Sequence, residues 1–277
     1  MTQDFYDGLA PYYHLLYPDW DASIERQSRG LAHVLDEFGV PPGSDVLDAA
    51  CGIGTQALGL AQLGYRITAS DLSPRAVARA RDEAVMRGLS IDFAAADLRH
   101  LTSVLNRAFP AIIACDNAIP HLLSDDEIRA AFVECRRLLD PGGVLLISVR
   151  DYATIERRNP DHHSYGARTI EDRIYSAEQI WHWDGNHYDL TLRLTEQRAS
   201  EPAIVREFHS RYYAVELPTL SRLLLEAGFA SASRRDEHFF QPLLAAIKPL
   251  SFQDLRAPVI PGVRQLRSGG IRMEETQ

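Results

Sequence analysis

Apolar positions follow a helical rhythm first and then an alternation of two rhythms. Ile24, Leu31, Leu35 and Phe38 recur at helical spacing and predict one amphipathic helix, which the stretch Val40-Pro41-Pro42-Gly43-Ser44 stops. Strand-like runs follow near 45–50, 65–70, 91–96, 109–115 and 143–150, interleaved with helix-like runs near 55–63, 74–87 and 125–139. Strands alternating with helices predict an α/β fold, a mostly parallel sheet with helices on both faces. Right-handed crossovers bring the C-terminal ends of such strands to one edge, where ligands bind. Beyond Arg150 the pattern changes. Residues 151–170 are polar and read as loop; 171–183, 186–198 and 203–215 have strand character, with a hairpin turn at Asp184-Gly185-Asn186. This block, 151–215, is read as an antiparallel insertion after the fifth strand. A helix over 217–227, ended by Gly228, and two strands near 229–235 and 238–247 complete a seven-stranded sheet. The chain thus divides into an aromatic arm and helix (1–44), a main domain (45–248) and a tail (249–277). The tail is expected to lack stable secondary structure and could pack on a neighbouring subunit, giving a homo-oligomer.

Composition narrows the partners. With 277 residues, 45% of them apolar, the chain can bury a sizeable core. The formal net charge is −9 and no basic run stands out, so no nucleic-acid partner is expected. No apolar stretch approaches the roughly 20 residues that span a bilayer, so no membrane association is expected. The opening MTQDFYDGLAPYY lacks the regions of a signal peptide, which points to a cytoplasmic setting. Cys51, Cys115 and Cys135 form no CxxC pair, and no metal site is expected.

The strongest local signal is Val46-Leu47-Asp48-Ala49-Ala50-Cys51-Gly52-Ile53-Gly54-Thr55, a strand that ends in a glycine-bearing turn and opens a helix. Gly52 and Gly54 let a ligand approach the backbone, and Thr55 can cap the helix. Acidic residues end the neighbouring strands as well: Asp71, Asp97 and Asp116. A carboxylate at the end of a second strand can accept from two ribose hydroxyls, and Asp97 could face an adenine amine. Each acid taken singly also reads as a helix cap or turn residue. A dinucleotide fingerprint would need a third glycine where Ala57 stands, and no GxxxxGK[ST] phosphate loop is present. An acidic site without a lysine suits a cofactor without phosphate.

VLDAACGIGT, SDLSP, AADL and LLDPGGVLLIS resemble the successive motifs of class I S-adenosylmethionine-dependent methyltransferases over about residues 40–150. The resemblance implies a Rossmann-like fold and S-adenosylmethionine as cofactor. By position it implies that Gly52 and Gly54 line the methionine portion, with Asp48 steadying the turn and Cys51 also at the cofactor. Asp71 would hold the ribose hydroxyls, Leu72 would lie against the adenine, and Asp97 and Leu98 would meet the adenine edge.

Four further segments narrow the resemblance: Tyr17-Pro18-Asp19-Trp20-Asp21, the run from Cys115 to Leu122, Ile147-Ser148-Val149-Arg150-Asp151-Tyr152 and Ser210-Arg211-Tyr212-Tyr213. They resemble the glycine and sarcosine N-methyltransferases, and this wider resemblance covers most of residues 5–247. It implies a small-molecule acceptor with an amine and a carboxylate. Arg150 offers a planar, two-pronged cation for that carboxylate. Asn117 can donate or accept at the pocket floor. Tyrosine rings can meet a methyl-sulfonium cation. Tyr212 and Tyr213 alternate across a strand, so at most one of them faces the pocket; Tyr213 is taken as the pocket member. Tyr17 and Arg26 are placed at the cofactor, Arg26 at its carboxylate, and Asp116 joins them as a strand-end acid. His121 reads as a packed histidine ahead of a general base. Methylation of another small metabolite at oxygen, carbon or nitrogen stays open, as does binding of the cofactor without catalysis.

Overall fold

The computed structural model describes residues 2–199 and 201–250. Two helices form the N-terminal region, α1 (Thr2–Leu9) and α2 (Trp20–Glu37), joined through a 3-10 turn at Tyr13–Leu16. The sequence predicts only the second of these. Asp19 caps α2 by accepting from the Ala22 amide, and Ile24, Leu31, Val34 and Leu35 form its buried face.

The main sheet has seven strands: β1 (Asp45–Asp48), β2 (Arg66–Asp71), β3 (Ile91–Ala95), β4 (Phe109–Ala114), β5 (Leu139–Ser148), β10 (Ser231–Arg235) and β11 (Leu243–Ile247). Their order is β10-β11-β5-β4-β1-β2-β3, and only the β11 pairings are antiparallel. Helices α3 (Thr55–Gln62), α4 (Pro74–Met86), α5 (Asp125–Leu138) and α6 (Leu217–Glu226) connect the strands. Side chains alternate across the sheet, so each face feeds its own core. Leu47, Ile112 and Leu145 pack with Phe132 of α5 and Leu220 of α6 on one side. Val46, Ile113 and Val144 pack with Leu31 of α2 and Leu60 of α3 on the other. Strand order reverses between β1 and β4, the switch point at which open α/β sheets bind ligands.

The insertion is a separate four-stranded antiparallel sheet: β6 (Asp161–Ile170), β7 (Arg173–Asp184), β8 (His187–Arg198) and β9 (Ile204–Tyr213). Gly185, at φ 59°, makes the β7–β8 turn. The expected loop at 151–170 therefore contains a strand. β6 pairs only with β7 and stays largely exposed, so it needs no apolar face and its polar sequence gives no strand signal. The inner face of this sheet packs on the arm. Phe5, Leu9, Leu15 and Leu16 share a core with Trp181, Tyr188, Leu192 and Tyr212. Arm and insertion together roof the C-terminal edge of the main sheet. No helix among the described residues is long and apolar enough to cross a membrane. Residues 251–277, most of the expected tail, lie outside the described residues.

Candidate active site

Two adjoining cavities, of about 660 and 390 Å³, lie over the strand ends. Tyr6, Tyr13, Tyr17 and Asp116 line both and form the wall between them.

The larger chamber is built on the β1 turn. Gly52 takes the left-handed region (φ 53°), and a Cβ there would meet only the Tyr13 ring edge at 3.6 Å, so its front is open. Cys51, Asp71, Leu72, Asp97 and Leu98 line the same chamber. Each oxygen of Asp71 accepts one backbone amide, from Gly52 and Ser73, both at 2.8 Å. Burial raises the Asp71 carboxyl, while these two bonds oppose the shift. The carboxylate is thus fixed in orientation, with a second lone pair on each oxygen unclaimed by these amides.

Gly54 departs from its expected role. It lies outside the cavity lining, and a Cβ there would press on Leu58 and Ala80 at 3.2–3.3 Å. Its φ of 98° and the close packing of α3 on α4 explain the glycine. Thr55 does not cap α3; its hydroxyl accepts from the Trp20 indole at 2.9 Å. Asp97 lines the chamber, but its carboxylate already accepts from the Arg99 guanidinium and backbone amide. Burial pushes the Asp97 carboxyl up, and the Arg99 bonds outweigh that and hold it below the ordinary value.

Asp48 lies beneath the turn, 1% exposed. One oxygen accepts weakly from the Ala50 amide at 3.4 Å, and the other has no partner. Burial lifts its carboxyl to about 7, the Ala50 bond opposing and Asp71 adding to the rise. A free aspartate titrates near 4. Between roughly pH 4 and 7 the unfolded chain therefore releases a proton that the folded chain keeps, and folding stability falls as pH rises. Asp48→Asn is expected to gain on the wild type by about 2–3 kcal/mol between pH 5 and 8. Urea denaturation of both proteins at the two pH values measures this; parallel pH profiles would remove the buried-acid account.

The smaller chamber gathers the acceptor-side candidates. Asp116 and Asn117 follow β4 and both take left-handed φ (57° and 65°), a strained pair that Ser148 holds through its hydroxyl and carbonyl. Asp116 accepts from Tyr17 at 3.1 Å and Gln241 at 3.4 Å. Burial raises its carboxyl, against the lowering influence of Arg150, Tyr17 and Gln241. Asn117 is buried, and its amide is committed within the fold: Nδ2 donates to Tyr152, and Oδ1 accepts from the Arg150 backbone. It therefore positions Arg150 and Tyr152 instead of standing free at the pocket floor.

The Arg150 guanidinium lies 5.2 Å from the Trp181 ring centroid, with Nη1 3.4 Å from the Tyr188 hydroxyl. No carboxylate forms an ion pair with it among the described residues. Tyr212, not Tyr213, faces this chamber. Tyr213 turns to the opposite face of its strand, packs half-buried on the core beneath α5 and α6, stacks on His187 and donates to Asp125 at 3.0 Å. Arg26 lines the smaller chamber, away from the larger one, and donates to Ser23 at 3.3 Å. His121 lies between Tyr6 (2.7 Å) and Ser210 (3.4 Å), its ring 4.0 Å from Tyr212. Burial drops its imidazole to about 3, which keeps it neutral.

Sequence reasoning missed Gln179, Tyr165 and Gln241. Gln179 stands between Ala177 and Trp181 on the buried face of β7, and a polar residue in that apolar alternation was its one signal. Tyr165 sits on the strand read as loop, and Gln241 reaches Asp116 from the far end of the chain.

Residues 46–143 match a methyltransferase domain family. A glycine/sarcosine N-methyltransferase from Parasynechococcus marenigrum (strain WH8102) is 31% identical over 211 residues, 76% of this chain and 71% of that protein. The chain belongs to the S-adenosylmethionine-dependent methyltransferases. A second glycine/sarcosine N-methyltransferase, from Halorhodospira halochloris, is 28% identical over 59% of the methyltransferase and 60% of its own length. In fold the methyltransferase is similar to a sugar N-methyltransferase from Streptoalloteichus sp. ATCC 53650, with TM-score 0.71, 19% identity and coverage of 86% and 92% of the two chains. The larger chamber fits the cofactor of this family. It offers an open glycine, two oriented backbone-held oxygens on Asp71 and further acidic groups at Asp97 and Asp116.

Proposed function

We propose that the methyltransferase acts on the amine of a small amino acid with a free carboxylate, such as glycine or sarcosine. The observation that carries this reading is Arg150: a permanently charged guanidinium at a chamber wall, flanked by Trp181 and Tyr188, with no carboxylate at ion-pair distance among the described residues, although its charge is felt by Asp116 across the chamber. Withdrawing an unpaired charge from water is costly unless a ligand supplies the counter-charge. Two relatives bearing the glycine/sarcosine name support the same reading.

S-adenosylmethionine supplies, when bound, a methyl carbon activated by its sulfonium. The chain's part is to hold the acceptor in line with it, and such positioning can supply much of the rate. Arg150 would grip the acceptor carboxylate, and Asn117 would hold Arg150 through its backbone. The amine would then face the shared wall of Tyr6, Tyr13, Tyr17 and Asp116. Those rings favour a cation at the methyl group. The raised carboxyl of Asp116 makes it a better proton acceptor than a solvated aspartate, which suits delivery of a neutral amine. On the cofactor side, Asp71 would take the ribose hydroxyls, and Gly52 with Cys51 the methionine portion. Leu72 and Leu98 would enclose the adenine.

Turnover of methyl-labelled cofactor against a panel of amino acids, amino sugars and phenols tests the reading. Activity confined to small amino acids is expected. Activity on amino sugars or phenols alone would replace it.

A further inference from the structure

We propose a divalent transition-metal site of the zinc class on the outer face, formed by His33, Glu37 and His238. The three groups come from opposite ends of the chain. His33 and Glu37 stand one helical turn apart on α2, where side chains at this spacing are neighbours. His238 lies in the segment between β10 and β11. One imidazole nitrogen from each histidine and one Glu37 oxygen all lie within 4.8 Å of one another.

Three features show that the fold fixes this meeting. The segment crosses α2 at Gly30, where a Cβ would stand 1.9 Å from the His238 carbonyl oxygen, so only glycine admits the contact. The next residue, Phe239, packs on the core that contains Leu31, Val34 and Leu35. The backbone that carries His238 is therefore anchored against the helix that carries the other two groups. The imidazole rings of His33 and His238 then lie 3.8 Å apart between centroids.

The donor geometry suits a small borderline cation. His33 Nε2 and Glu37 Oε1 are 3.7 Å apart. Donors bound tetrahedrally at about 2.0–2.1 Å are separated by roughly 3.4 Å, so small side-chain shifts suffice. The second Glu37 oxygen is 3.4 Å from Arg235 Nε, which holds the carboxylate in place and leaves Oε1 to the cation. Two imidazoles and one carboxylate select zinc, nickel or cobalt over magnesium or calcium. All three side chains are partly exposed, so solvent can reach the open coordination position.

The site lies outside both chambers, but its segment runs into one of them. Phe240 and Gln241, two and three residues after His238, line the smaller chamber, and Gln241 bonds to Asp116 and Ser148. A bound cation would clamp that segment to α2 and hold Gln241 in place.

Calorimetric titration of the full chain, without a histidine tag, with zinc chloride tests the site. One zinc per chain is expected, with binding weakened at least about 10-fold by His33→Ala and likewise by His238→Ala. Millimolar magnesium should not compete. Absence of binding, or unchanged affinity in a protein carrying both His33→Ala and His238→Ala, would overturn the proposal. Both positions are at the surface, and coincident urea transitions for the variants and the wild type confirm that folding is intact.

Discussion

Arg150→Ala is expected to lower kcat/KM for the acceptor by roughly 30- to several-thousand-fold, the equivalent of about 2–5 kcal/mol. On the proposed reading, the variant would leave the acceptor carboxylate beside Tyr165, Gln179 and Tyr212 without the guanidinium at that wall, Arg26 being the other cation of the chamber. Arg150→Lys should restore only part of the loss, because an ammonium cannot reproduce the planar fork that meets two carboxylate oxygens. Affinity for S-adenosylhomocysteine should barely move, since Arg150 lies outside the larger chamber, and that unchanged affinity also reports an intact fold. Steady-state kinetics on the acceptor identified by the panel decides the matter. Full activity with unchanged cofactor binding would show that the acceptor places no carboxylate there, and the amino-acid reading would fail.

Asp71→Ala should weaken binding of S-adenosylhomocysteine by about 2–4 kcal/mol, because hydrogen bonds to a charged acceptor contribute about 1.5–3 kcal/mol each. The variant also removes the two oxygens that receive the Gly52 and Ser73 amides, so the glycine turn loses its tie to the second strand. Both effects act in the same direction. Isothermal calorimetry with wild type and variant measures the loss, and equal affinities would take Asp71 out of the ribose role. NAD should bind neither protein.

The main sheet was legible because each of its strands carries its own signal. Val46, Ile113 and Leu146 lie in short apolar runs, and each is bounded by a capped helix or a glycine turn. Asp48, Asp71, Asp97 and Asp116 were legible as a group for the same reason: strand ends are sequence features, and the parallel topology collects them. The insertion was harder. β6 is only half-buried on its inner face, where Asp161, His163 and Tyr165 alternate with exposed residues, and two of those three are polar, so its one aromatic gives no apolar alternation to read. The choice between Tyr212 and Tyr213 turned on register, since one step along β9 exchanges the faces. Asn117 was found, but its task was not. The sequence shows a polar residue after a strand, whereas only the fold brings Tyr152 and the Arg150 backbone to its amide. The grouping of His33 and Glu37 with His238 had no local motif to announce it.

The two chambers draw on different stretches of the chain. Apart from the arm, the larger one is lined mainly by turns between Ala49 and Glu127, with Arg211 its sole contribution from the insertion. The smaller one takes Tyr165, Gln179, Leu192 and Tyr212 from the insertion. If the larger chamber takes the methyl donor and the smaller the acceptor, as proposed, the two recognitions rest on largely different stretches, joined at Tyr6, Tyr13, Tyr17 and Asp116. On that assignment, substitutions or length changes in 151–215 away from Arg211 would reshape what is methylated and leave the donor cradle as it is. A partition of this kind would let the acceptor wall vary while the turns that receive the donor keep their sequence.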